Sequence, residues 1–210
     1  MQNQRVLITP PDLSNEKSLK TLVENRSVYT LNHCELNIFE TYESSKLVPL
    51  KFNDFVVTSM LRGKKVMHLF DEPGFDYLPG ETVVIPSNIE MKIDFPEASK
   101  ENPTQCLALA IDTTKITETL DFLNERYPKK GSDNYWQLNY QNYFFYNNVD
   151  LASTISKLIK ECTSTSITKD VIADLTLQEL LIRIIQTQTA KSLDDGAVLQ
   201  SNNPIFEVTE

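Results

Sequence analysis

Acid–base chemistry near neutral pH is most easily done by an imidazole, and this sequence has two, His33 and His68. They lie on different segments, and neither has a Ser or Cys spaced to build a nucleophile–base pair. His68 sits in the run Val66-Met67-His68-Leu69-Phe70, where a polar ring among apolar neighbours needs a partner. A carboxylate at Glu72 or Asp76 would make an acid–base pair of the kind an isomerase or epimerase uses. A backbone carbonyl or a ligand group would serve equally well, and all three readings stay open. The five glycines, at 63, 74, 80, 131 and 196, stand singly, so no phosphate-cradling loop is present. There is no nucleophile elbow. Cys34, Cys106 and Cys162 are odd in number and far apart, with no CxxC pair, which argues against a zinc knuckle or a thiol redox centre. They read as reduced, buried small hydrophobes.

A composition of 40% hydrophobic and 23% charged residues supplies a core without a metal or disulfide staple. Net charge −9 and a pI of about 4.8 oppose binding to a phosphate backbone. The densest basic spots, Arg62-Gly63-Lys64-Lys65 and Pro128-Lys129-Lys130, read as solvated turns. No apolar run approaches the roughly 20 residues that span a bilayer, and the first residues lack a secretory pattern. A cytoplasmic protein with no membrane partner is the expectation.

The elements that must position these groups change character along the chain. Residues 1–27 form a polar arm with a short helix expected at 15–24, Leu19, Leu22 and Val23 sharing a face. Residues 28–148 begin with period-two alternation, in strands near 36–42, 55–61, 66–70, 75–78, 82–85 and 91–95, and continue with a nearly continuous apolar strand at 106–111 that suits burial on both faces. Turns at Glu72-Pro73-Gly74, Pro79-Gly80 and Pro86-Ser87-Asn88 separate them. With no helix between Tyr29 and Asp112, an antiparallel sandwich or barrel is required. A helix at 113–127 stops at Pro128, and a Tyr- and Asn-rich loop follows, with a short strand near 143–146. Residues 149–190 read as a helical hairpin: a helix capped by Asp150, carrying Leu151, Ile155, Leu158 and Ile159, then the longest helix at 169–189. Residues 191–210 read as a linker leading into the start of a further helix, with Asn203 as cap and Pro204 in its first turn.

Leu78-Pro79-Gly80-Glu81-Thr82-Val83-Val84-Ile85-Pro86-Ser87-Asn88 resembles the second conserved stretch of the cupin superfamily. Metal-dependent cupins carry a His-x-His pair and a glutamate upstream, and a histidine downstream. Here His68 stands alone upstream and Met91 takes the downstream position, so the resemblance implies a cupin barrel without its metal. Leu61 to Val66, Phe75 to Glu81, Pro103 to Asp112 and the helix at 169–189 extend the likeness. Their order is similar to that of the N-terminal domain of AraC-type transcription regulators, over roughly residues 25–210.

That resemblance implies a mainly β fold with C-terminal helices: a cupin-like antiparallel β-barrel (jelly roll) followed by a helical hairpin. It implies a regulator that binds a small effector and dimerises, with neither enzymatic activity nor a cofactor. DNA would be contacted only through a C-terminal helix-turn-helix half that this sequence lacks. On strand alternation, Met60, Met67, His68, Tyr77 and Met91 are the candidate lumen residues for an effector. Apolar positions of the 169–189 helix exceed one narrow stripe, and the surplus at Leu177, Leu181 and Ile184 is expected to form a homodimer interface. The alternatives are a cupin-type isomerase or epimerase, and a packed structural module that only dimerises.

Overall fold

Short alternating segments without intervening helices leave the chain only antiparallel neighbours to pair with. A computed structural model describes residues 5–13, 19–20, 24–129 and 135–201, with backbone alone for 19–20 and 191–201. In chain order the strands are β1 (Leu19–Lys20), β2 (Glu24–Thr30), β3 (Cys34–Thr41), β4 (Ser45–Lys51), β5 (Phe55–Arg62) and β6 (Lys65–His68). Then come β7 (Phe75–Tyr77), β8 (Glu81–Ile85), β9 (Glu90–Phe95), β10 (Thr104–Ile111), α1 (Thr113–Arg126), β11 (Phe144–Tyr146), α2 (Val149–Cys162) and α3 (Lys169–Ser201). One sheet runs β1-β2-β3-β10-β5-β8-β11 and the other β4-β9-β6-β7.

From β3 to β10 the pairing is nested: β3 with β10, β4 with β9, β5 with β8, β6 with β7, all antiparallel. This is a jelly roll with helices appended after it. Its hydrogen bonds stay within two facing sheets, so the expected barrel is a two-sheet roll. β4 escapes detection in the sequence because Pro49 interrupts a weakly apolar run. As an edge strand it tolerates the missing N–H.

The seven-stranded sheet separates two cores. Phe39, Val56, Met60, Met67, Tyr77, Ile85, Met91, Ile93 and Phe95 fill the space between the sheets. On its other face Leu36, Ile38, Val57, Leu107, Leu109 and Ile111 meet Leu151, Ile155 and Leu158 of α2 and Leu177, Leu180, Leu181 and Ile184 of α3. Leu177, Leu181 and Ile184 are therefore not a surplus left for a second subunit, being 1%, 1% and 0% exposed within the chain. α3 packs on the sheet and on α2 at once, and the wide apolar face is used up inside the molecule. Among its described side chains the exposed large apolar ones are Val171 and Leu175, at 63% and 58%, with Ile167 just before the helix.

Three boundaries also move. Leu19–Lys20 is a strand against Asn25 and Arg26 where a helix was expected, the rest of that helix lying mostly outside the described residues. Asn148, not Asp150, caps α2 by accepting from the Leu151 N–H at 2.8 Å. Asp150 instead sits in the first turn and reaches Arg183 at 3.0 Å. α3 runs on through the expected linker to Ser201, since only Gly196 among residues 191–201 opposes a helix. The expected helix start at Asn203-Pro204 lies outside the described residues. All three cysteines are free and buried. A hydrogen bond with Cys34, then burial, pushes the Cys162 thiol well up, so it stays protonated.

Candidate functional site between the two sheet edges

β7 ends the four-stranded sheet and β11 ends the seven-stranded one. Where these edges approach, a cleft of about 870 Å³ opens to solvent. Aromatic rings form its walls. Phe75 of β7 lies edge-on to Phe144 of β11 at 5.5 Å and 6.3 Å from Tyr143. Phe70 meets Tyr143 at 5.2 Å, and Phe144 meets Tyr146 at 5.5 Å. Such edge-to-face pairs hold ring positions while leaving faces available. Phe70 is brought there by a left-handed turn, with φ of 55° at Phe70 and 57° at Asp71, closed by Glu72 N–H donating to the Leu69 carbonyl at 3.0 Å. Left-handed backbone at a bulky residue costs about 1–2 kcal/mol, a strain that the surrounding contacts must hold.

The polar rim is acidic. Glu72, Asp76 and Glu81 line the cleft, and among the described residues Arg5 is the one basic residue that does. Glu81 is 2% exposed; it accepts from the Leu78 N–H at 2.6 Å and pairs with Arg5 at 3.1 Å. Burial pushes its carboxyl up, against the opposing pull of the Leu78 N–H and Arg5. Arg5 also stacks over Tyr146, its guanidinium 4.6 Å from the ring centroid. The arm reaches this place because Val6 donates to the Asn147 carbonyl and Asn147 to that of Gly80. Gly80 has φ 84°, and a Cβ on it would stand 3.1 Å from the Arg5 Cβ and 3.2 Å from Leu7. Asp76 is paired with Lys64 at 2.8 Å.

The loop bearing Tyr140, Gln141 and Tyr143 is tied to α3. Gln188 accepts from the Asn139 N–H at 3.0 Å and donates to the carbonyls of Asn139 and Asn142 at 2.9 and 3.0 Å. The Asn142 amide returns a bond to the Gln188 carbonyl at 3.3 Å. One buried side chain thus clamps a wall of the cleft to the long helix.

Of the residues expected to face a lumen, Met60, Met67, Tyr77 and Met91 lie between the sheets, at 2% exposure or less. His68 does not join them. Successive strand residues face opposite ways, so His68 must point away from the side Met67 occupies. On the outer face its Nε2 lies 3.1 Å from Asp94 Oδ2, rather than beside Glu72 or Asp76. The same parity puts Lys65 inside with Met67, although its run of bases reads as a solvated turn. Lys65 is 1% exposed and donates to Glu24 at 3.1 Å and to the Cys106 sulfur at 3.0 Å, with Phe95 at 4.7 Å. Thr41 donates to the same Glu24 oxygen at 2.8 Å. Burial opposes the Lys65 charge, but Cys106 and Glu24 outweigh it and hold the ammonium above its ordinary pKa. Among the described residues no three His, Cys, Asp or Glu side chains gather as metal ligands. No described helix is long and apolar enough to cross a membrane.

Residues 33–192 match the family described as AraC-type transcriptional regulator N-terminus. The chain belongs to this family. None of the curated proteins matches this chain in sequence. Among solved structures it is similar to hazelnut (Corylus avellana) vicilin, at 14% identity and TM-score 0.41 over 47% of this chain and 30% of that one. A cupin superfamily protein from Desulfitobacterium hafniense DCB-2 is 12% identical, with TM-score 0.36 over 51% of this chain and 98% of its own. An RmlC-like cupin with a double-stranded β-helix fold from Methanocaldococcus jannaschii is 16% identical, with TM-score 0.36 over 51% and 99%.

Proposed function

We propose that this AraC-type domain senses a small effector for a cytoplasmic transcription regulator, takes it in the cleft between β7 and β11, and passes its occupancy to α3. The observation that carries this reading is the Gln188 clamp, which joins the wall bearing Tyr140 and Tyr143 to the longest helix. Met60, Met67, Tyr77 and Met91 back this site as packing, since each is already buried among apolar neighbours. The domain is read as non-enzymatic: its cleft offers carboxylates and aromatic rings, with no imidazole among the described lining residues. DNA reading in such regulators falls to helix-turn-helix units, and at net charge −9 this chain does not hold DNA by itself.

The test is an NMR screen of aromatic amines, acids and neutral rings against protein labelled at methionine methyls and aromatic rings. Binding molecules are expected to shift Phe70, Tyr140 and Tyr143 signals together with α3 amides, and Gln188→Ala to silence the α3 response. Shifts centred on Met60, Met67 and Met91 would instead place the effector between the sheets. Homodimerisation through α3 is proposed on its outer apolar stripe, Val171 and Leu175 with Ile167. Sedimentation is expected to show a dimer at tens of micromolar that Val171→Glu dissociates; a monomeric wild type would remove this part of the reading.

A further inference from the structure

We propose that the cleft selects an organic cation, a guanidinium- or ammonium-type head on an apolar, preferably flat body. This deepens the reading of the cleft as the effector site and rests on it. The head group would meet Glu81 and the face of Tyr146, and the body would lie against Phe75, Tyr143 and Phe144.

Charge selects the sign. Of the three carboxylates lining the cleft, Asp76 is paired with Lys64 and Glu81 with Arg5, and Glu72 adds a negative charge with no ion pair among the described residues. An anionic ligand is therefore disfavoured, and a cation that displaces Arg5 restores the Glu81 pairing. Burial makes that selection strong at Glu81. A carboxylate 2% exposed is costly unless a cation and hydrogen bonds satisfy it. The Leu78 N–H supplies one bond, and the cation comes from Arg5, whose side chain is 38% exposed. The cationic partner of Glu81 is therefore a group that solvent already reaches.

Geometry selects the shape. Arg5 sits over Tyr146 at 4.6 Å while its Nη2 touches Glu81 at 3.1 Å, so a ring face and a carboxylate hold one planar cation between them. That two-point arrangement suits delocalised cations better than a hydrated point charge. Next to it, the rings of Phe144, Phe75 and Tyr143 continue as an apolar surface, with no second basic residue among the described lining residues. Arg5 thus occupies the head-group position of a longer site and competes for it. Asp76 is held by Lys64 and stands further out on β7, leaving Glu81 as the selective carboxylate and Glu72 as added negative charge at the rim.

The experiment is isothermal titration calorimetry of the full chain with benzamidine, its neutral isostere benzamide and its anionic counterpart benzoate. Benzamidine is expected to bind about tenfold tighter than benzamide, with benzoate weaker still. Arg5→Ala is expected to tighten benzamidine by removing the competitor. Glu81→Gln is expected to erase the preference over benzamide, with a thermal melt checking that the variant folds. Tyr146→Leu, which leaves the Arg5–Glu81 pair in place, is expected to narrow the preference without erasing it. Benzamide or benzoate binding as tightly as benzamidine, with NMR shifts at Tyr143 in the labelled protein, would overturn the cation inference while leaving the effector site in place. No binding by any of the three overturns the inference outright. Weaker benzamidine binding in Arg5→Ala overturns it too, since Arg5 would then be part of the receptor.

Discussion

The two faces of the seven-stranded sheet are built from the same strands yet packed by opposite rules. On β10, Leu107, Leu109 and Ile111 turn toward α2 and α3, while Cys106, Ala108 and Ala110 turn toward the second sheet. The helix face is filled by large aliphatic side chains from both partners. The inter-sheet face is small on β10 and is filled from across the gap by Met67, Tyr77, Met91 and Phe95. It also contains charge buried on both partners: Lys65, Glu24 and Thr41 form a bonded knot, whereas on the helix side the buried Lys115 pairs with an Asp174 carboxylate that stays partly exposed. A uniform apolar face tolerates approximate packing, whereas a buried ion pair is tolerated only in one arrangement.

The comparison can be broken most sharply at Lys65. Lys65→Ala deprives the buried Glu24 carboxylate of its ammonium, and a loss of about 3–5 kcal/mol is expected in urea unfolding. Lys65→Met with Glu24→Gln removes both charges and is expected to restore most of that loss. A single variant within 1 kcal/mol of wild type would show that the knot is solvated. Next in size is Leu109→Ala on the helix face, where truncation leaves a cavity worth about 2–4 kcal/mol. Smaller again is Ala108→Leu, one residue away on the opposite face, where overpacking costs about 1–3 kcal/mol. A reversed order of these two would mean that the inter-sheet layer is the less forgiving of volume change.

Much of this was legible in the residues. Alternation, apolar runs and turn chemistry mark seven of the roll's eight strands: β9 alternates because one of its faces is solvated, while β10 reads as a nearly continuous apolar run because both of its faces are covered. β4 escapes because an edge strand containing Pro49 has neither the pattern nor the need for it. Strand parity, applied strictly, separates Met67 from His68 and draws Lys65 inward, so the buried lysine was available to a reader who trusted alternation over charge. The fate of Leu177, Leu181 and Ile184 was not available. A wide apolar face records that two surfaces are covered, but not whether the second belongs to the same chain. The cleft leaves only a compositional trace, the aromatic richness of 140–146 and of Phe70 and Phe75. Only the pairing of β11 with β8 and of β7 with β6 brings those rings together.

The length of α3 has a mechanical consequence. Its stem is wedged between sheet and α2 around Leu177, the clamp at Gln188 grips it about 16 Å further on, and Ser201 lies roughly 20 Å beyond that, at about 1.5 Å of rise per residue. A rigid rod pivoting at its wedged end multiplies displacement by the ratio of these arms. A shift of about 1 Å at Gln188 becomes about 2 Å at Ser201.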